Sequence, residues 1–208
     1  MIRITLTGLV KFMGGSPGVQ RTVVRNFKYP KGEGAAQAKY YREALRFIKD
    51  FHRQSRPAEW LDGRAMAIET EARQSAPAHK VRLSHNARAI RQYARHFATV
   101  AGNPGTPPKL QFVHADVRVA VTPDLLLSGD DDVLVKLNLT DTAVPKESAA
   151  IGTIVFGEAT TGTAYDAYKV AYFDTVNGEV HLRPKAKAKV LNDVRAACEN
   201  IRAIWASI

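Results

Sequence analysis

Residues 119–139 read VAVTPDLLLSGDDDVLVKLNL. Val133, Val135, Leu137 and Leu139 fall at every second position, which predicts a strand over 133–139 with those four side chains on one face. Upstream, residues 110–121, LQFVHADVRVAV, alternate as one strand or as two with a bend, and Leu125–Leu127 continue the apolar run. Gly129 with Asp130, Asp131 and Asp132 reads as a turn between strands; the three acids could also take Ca²⁺, but a solvated hairpin tip is the simpler reading. Downstream, Pro145 with Lys146-Glu147 opens a helix over about 146–159 that is poor in propensity, since Gly152 and Gly157 lie inside it. Tyr168–Phe173 and Glu179–Leu182 flank Asn177-Gly178, a strong hairpin signal. The chain ends in a helix over 186–206 whose inner face is Val190, Leu191, Val194, Ala197, Ile201, Ile204 and Trp205.

The first half has a different character, and the boundary falls at GNPGTPP, 102–108, whose Pro and Gly residues cannot continue a helix. Residues 2–13 and 19–29 are roughly alternating or β-branched at intervals and read as a β-hairpin around Gly14-Gly15-Ser16-Pro17-Gly18. That Gly-rich stretch lacks the Lys and the following helix of a phosphate loop, so it reads as a turn. Residues 35–53 form the clearest helix, burying Tyr41, Ala44, Leu45, Ile48 and Phe51. A weaker helix spans 58–75, interrupted by Gly63. Ser84 then reads as the N-cap of a third helix over 85–100, with Ile90, Tyr93, Ala94 and Phe97 inward. The expected fold class is α+β: an N-terminal β-hairpin and basic helices, then an antiparallel β-meander with a helix and a closing C-terminal helix. Its halves are 1–101 and 109–208, which can also form one continuous domain.

Charge follows the same division. Residues 1–100 hold 19 Lys and Arg against 7 Asp and Glu, and residues 101–208 hold 11 against 13, so all of the net +10 lies in the first half. Its placement is regular. Lys39, Arg42, Arg46, Lys49 and Arg53 follow one another at intervals of 3, 4, 3 and 4 and form one helical stripe, while Arg88, Arg91 and Arg95 repeat the device on the later helix. Like charges at such spacing cost an isolated helix a few tenths of a kcal/mol per pair, a cost that a phosphate partner offsets. Tyr40 and Trp60 are the aromatics best suited to base stacking among these cations.

Composition narrows the classes. An apolar content of 45% and a charged content of 24% are those of a soluble globular chain, and no apolar run approaches a membrane span. The single Cys198 excludes an internal disulfide, favours a reducing cytoplasmic setting, and lies on the apolar side of its helix, where it reads as core. His52, His79, His85, His96, His114 and His181 show no zinc-ligand spacing.

Pro123-Asp124 entering an apolar strand, a tight turn, and Lys136 on the returning strand, with a helix before and a helix and strand after, resemble the core of the PD-(D/E)XK nuclease superfamily over about residues 110–185. The resemblance implies that Asp124 and a second acid hold a divalent metal, Mg²⁺, and that Lys136, two residues after that acid, helps position the attacking water. Here the second acid is replaced by Leu134, which cannot ligate a hard cation. Either the core is inactive or another acid has taken the role, with Glu158, Asp116, Glu69 and Glu71 as candidates. Without the resemblance, Asp124 caps a turn and Lys136 is a solvated strand residue.

The expected function is therefore binding of nucleic acid, DNA or RNA, through the two basic stripes, by a protein with a nuclease-like core. Such a protein would fit nucleic-acid processing or defence against mobile elements. The alternatives are an active Mg²⁺-dependent nuclease using Asp124, Lys136 and a displaced Glu158, and a structural subunit. In that last case, the basic helices would dock on an acidic protein partner or a guide RNA, and the weak 146–159 helix and the apolar C-terminal residues 204–208 fit a chain that buries surface against a protein partner or a second copy of itself.

Overall fold

Thr5 decides the course of the N-terminus. Ile2–Thr5 forms β1, alternately buried and exposed, but the Thr5 hydroxyl accepts the Gly8 N–H at 3.1 Å and so caps a helix, α1 (Leu6–Met13). The computed structural model describes residues 1–30, 40–98, 102–129, 131–184 and 188–208. Residues 19–28 are helical as well, in α2 (Pro17–Lys28), with Pro17 in the first turn. The expected N-terminal hairpin is thus a strand followed by two helices. Leu6, Leu9 and Phe12, then Val23, Val24 and Phe27, also match a helical period, and burial against the rest of the chain overrides the β-branched propensity.

Three helices follow: α3 (Arg42–Arg53), α4 (Ala58–Gln74) and α5 (Pro77–His96). Helix α4 runs unbroken through Gly63, where nothing lies within 4 Å of an added Cβ, because Leu61, Ala65, Ile68 and Ala72 pack inward. Helix α5 starts at Pro77, so Ser84 is an interior residue and not an N-cap. Leu83 and Ala87 extend the apolar stripe of Ile90, Tyr93 and Ala94 backwards, and Pro77 suits the first turn.

The remainder is β2 (Asn103–Pro104), β3 (Leu110–His114), β4 (Val117–Val121), β5 (Leu125–Ser128), β6 (Val133–Asn138), α6 (Lys146–Thr160), β7 (Lys169–Asp174), β8 (Val180–Leu182) and α7 (Ala188–Ser207). The fold class is α+β, opening on a strand and closing on a helix. Residues 110–121 resolve into two strands joined by Ala115-Asp116, both at positive φ (49° and 62°), a two-residue hairpin turn. Strands β1, β4 and β3 form a three-stranded sheet in that order, with β1 parallel to β4. The second sheet has the order β2-β5-β6-β7-β8. Its β5–β6 and β7–β8 pairs are antiparallel, as a meander requires, but β6 and β7 are parallel because α6 crosses between them.

Helices on both faces of the larger sheet explain its near-continuous apolar strands. Val133, Val135 and Leu137 of β6, with Leu125, Leu127, Ala171 and Phe173, face α3, α4 and α5. Leu126, Leu134 and Val170 face the other way, into a core shared with α1, α2, α6, α7 and the smaller sheet. That second side also explains the glycines of α6. A Cβ on Gly152 would lie 3.3 Å from the Tyr172 ring, and one on Gly157 would lie 2.6 Å from the Arg183 side chain. The helix gives up propensity so that it can sit directly on large side chains of β7 and the segment after β8. The apolar C-terminal residues are likewise used within the chain: Ile201 is buried, and Ile204, Trp205 and Ile208 pack on the same core.

Candidate functional site

Residues 134, 136 and 138 of β6 share the face opposite Val133, Val135 and Leu137, so Lys136 stands on the α6 side of the sheet. Its ammonium lies 2.8 Å from Asp124 Oδ2, and that oxygen also accepts the Leu137 N–H at 2.9 Å. The Asp124 N–H donates to the Val135 carbonyl at 2.8 Å, so the residue is fastened to β6 at three points. The expectation that Asp124 and Lys136 face one another holds as geometry, and both are largely enclosed, with side chains 17% and 22% exposed.

Tyr172 is the register partner of Lys136 on β7 and of His181 on β8, so Lys136, Tyr172 and His181 form one cross-strand row. Arg183 follows, its guanidinium 2.5 Å from Glu158 Oε1 of α6. Asn138, two residues beyond Lys136, donates to Asp174 Oδ1 at 3.1 Å, and the buried Asp174 also accepts the N–H groups of Val144 and Val176. Burial pushes the Tyr172 phenol up to about 12, with smaller contributions from the Asp124 and Asp174 carboxylates, so its hydroxyl stays protonated. Tyr172, Asp174 and Arg183 were not read from the sequence as functional residues; the signal available was their place beside Lys136 once β6 and β7 are known to be parallel.

The donor set does not fit a divalent cation. Leu134, at the position of the second acid, is fully buried in the apolar core beside Lys136. Glu158 is engaged by Arg183. Glu69 holds Arg91 through two bonds of 2.6 and 2.9 Å, and Glu71 lies 3.9 Å from His79; both sit on α4, across the sheet from Lys136. Asp116 is exposed in the β3–β4 turn. Among the described residues, no three His, Cys, Asp or Glu side chains gather where they could hold a metal.

The cations divide into two groups. On α3, Arg42, Arg46 and Arg53 are exposed and Lys49 is half-buried; with Leu45 and Asp50 they line a groove of about 260 Å³. Arg53 also pairs with Asp50 at 3.1 Å. Lys39 lies outside the described residues. Beside this groove, Phe47 and Trp60 meet edge to face at 6.0 Å, with Arg46 over Phe47, Arg56 over Trp60 and Arg64 over both. On α5, by contrast, Arg88 donates to the Thr140 carbonyl at 3.0 Å and Arg91 is held by Glu69; of the three, only Arg95 is exposed. The Tyr40 hydroxyl is 3.0 Å from His85 Nδ1. Because α3 packs on the Val133–Val135–Leu137 face, its stripe and the Asp124–Lys136 pair lie on opposite sides of the sheet.

Other sequence features take structural places. Burial pushes the Cys198 thiol up to about 11, which suits a core residue. Asp132 accepts the Gly129 N–H at 3.2 Å and Asp131 pairs with Lys169 at 2.7 Å, as a hairpin tip does; Asp130 lies outside the described residues. No helix among the described residues is long and apolar enough to cross a membrane. Comparison with protein-family models and with curated proteins gives no match.

Proposed function

We propose that the chain binds nucleic acid through the outer face of α3 and the adjoining start of α4, and that its nuclease-like core is inactive in metal-dependent cleavage. The observation that carries the reading is the row of exposed Arg42, Arg46 and Arg53 with half-buried Lys49, beside Phe47 and Trp60, which Arg46, Arg56 and Arg64 overlie. Cations spaced along one helix meet successive phosphates, and an aromatic pair among guanidinium groups suits bases splayed from a strand. The Asp124–Lys136 pair fits a fastening for β5 on β6 better than a metal site, since its ion pair and backbone bond already occupy Asp124 Oδ2. Its position across the sheet from the α3 row also separates it from any strand bound there.

Filter binding with single- and double-stranded DNA and RNA at two salt concentrations tests this reading, with a gel of the same samples after addition of Mg²⁺. The expected result is salt-sensitive binding with intact probe. Absence of salt-sensitive binding refutes the interface, and Mg²⁺-dependent cleavage abolished by Asp124→Ala refutes the inactive core.

A further inference from the structure

The segment Gly14-Gly15-Ser16-Pro17-Gly18 is followed by a helix after all, and that helix aims its N-terminus at a cavity of about 480 Å³ between α1, α2, α6 and the end of β6. The N-cap residues of both α2 (Ser16) and α6 (Pro145) line this cavity, and neither helix has a side-chain cap on its first turn. Two sets of unpaired backbone N–H groups, each at the positive end of a helix dipole, therefore converge on one space. Val19 and Ser148, at the third positions of the two helices, also line it, as does Lys11 from α1, and none of its lining residues is acidic. The loop is tight by necessity: a Cβ on Gly15 would lie 2.6 Å from Val19 Cγ1 and 3.0 Å from the Lys11 carbonyl.

A second, independent feature points to a ligand. Tyr172 lines the same cavity and is only 6% exposed, yet its hydroxyl takes part in no hydrogen bond among the described residues. Among the described residues its oxygen is not one of the fully buried side-chain atoms without a partner, so it opens on the cavity, where an acceptor on a ligand would complete its hydrogen bonding. With its acidity suppressed by burial and by Asp124 and Asp174, the hydroxyl is a donor at neutral pH. Asp174 itself faces away in hydrogen-bonding terms, since its oxygens already accept N–H groups from Asn138, Val144 and Val176.

We propose that this cavity is a phosphate-binding site for a phosphomonoester, held by the first turns of α2 and α6, Lys11, the Ser16 and Ser148 hydroxyls and the Tyr172 hydroxyl. Convergent N–H groups, hydroxyls and one ammonium match the oxygens of a dianion. The volume admits a nucleotide-sized molecule, with Val19 and Pro145 as apolar wall for the remainder. The site lies on the α6 side of the sheet and is independent of the α3 surface.

Calorimetric titration of the full chain with inorganic phosphate, then with adenosine 5′-monophosphate, tests the proposal. Saturable binding is expected, weakened about tenfold by Tyr172→Phe, which deletes one donor to a charged ligand. Ser148→Glu places a carboxylate in the first turn of α6, where it favours the helix while occupying the anion's place, and should abolish binding with the fold intact by circular dichroism. Lys11→Met, at an exposed position, supplies a variant that does not depend on core packing and should also weaken binding. A comparison of 5′-phosphorylated with 5′-hydroxyl oligonucleotides then separates the sources: discrimination assigns a strand end, and indifference with retained binding of the monophosphate assigns a free small molecule. No saturable binding of phosphate or of the monophosphate, or binding unchanged in all three variants, overturns the proposal. Since inorganic phosphate is the first probe, failure of nucleic-acid binding at α3 leaves this result unaffected.

Discussion

Lys136 Nζ lies 2.8 Å from Asp124 Oδ2 with Leu134, fully buried, on the same face of β6. The relationship is that of a clamp between neighbouring strands. It brings two opposite charges into a mostly enclosed place where each is the other's compensation.

Removing one partner should therefore cost more than removing both. Asp124→Ala leaves the Lys136 ammonium and the Leu137 N–H without their acceptor and should destabilise the fold by about 2–3 kcal/mol, the cost of an uncompensated partly buried ion. Lys136→Met alone should cost less, because Asp124 keeps the Leu137 N–H. A double-mutant cycle in urea should give a favourable coupling. The same samples check the metal question, since a rise in melting temperature with Mg²⁺ that Asp124→Ala abolishes would mean that Asp124 binds the ion.

Gly157 is set by a neighbour and not by its backbone. Its added Cβ would meet the Arg183 side chain at 2.6 Å, and Arg183 could yield only by disturbing its bond to Glu158. Gly157→Ala should thus destabilise the chain by about 1 kcal/mol, against a propensity gain of similar size. With Arg183→Ala already present the clash is gone, and Gly157→Ala should become stabilising by about 1 kcal/mol. Thermal melts of the four proteins decide it; the same sign in both backgrounds would show that the contact does not govern the position.

The two basic helices should separate by assay. Charge reversal at Arg42 or Arg46 should weaken nucleic-acid binding and flatten its salt dependence, by about one counterion for each phosphate that is no longer neutralised, with little change in melting temperature. Arg91→Ala should do the reverse. It breaks the two-bonded pair with Glu69, whose carboxyl Arg91 holds below its usual range, and should cost about 1 kcal/mol of stability while leaving the salt slope in place. Loss of salt-dependent binding in Arg91→Ala would place α5 in the interface.

These cases show where the sequence was legible. Regular alternation gave β6 and which residues share a face, though not that both faces are buried; Asn177-Gly178 gave the β7–β8 hairpin, and the facing of Asp124 and Lys136 followed from a twelve-residue separation across a turn. Residues 2–29 misled because Ile2, Ile4 and Leu6 fit a strand while Leu6, Leu9 and Phe12 fit a helix, and only the Thr5 cap and the core contacts choose. The glycines of α6 read as weakness because their cause, Tyr172 and Arg183, lies some 20 residues or more away along the chain. Periodicity also put Arg88 and Arg91 on a stripe without revealing Thr140 and Glu69 as their acceptors. The cavity was hidden for the same reason as the N-terminal fold: a loop not expected to lead into a helix cannot be seen to point one at a ligand.

His52 supplies a pH test of the helical layer. It is 6% exposed, its Nε2 is 2.6 Å from the hydroxyl of fully buried Tyr93, and burial lowers its pKa from 6.5 to about 4. The folded chain therefore keeps His52 neutral in acid that would protonate it in the unfolded chain. Above pH 6.5 both states hold it neutral and it adds no pH dependence. Between pH 6.5 and 4 the unfolded state gains the proton first, so stability falls as pH falls, by about 3 kcal/mol at pH 4 from this group. Urea denaturation should show that decline over and above the contribution of other groups, and His52→Gln should remove it while keeping a polar partner for Tyr93. If the wild-type and His52→Gln stability curves run parallel from pH 7 to pH 4, His52 is not held neutral in the fold.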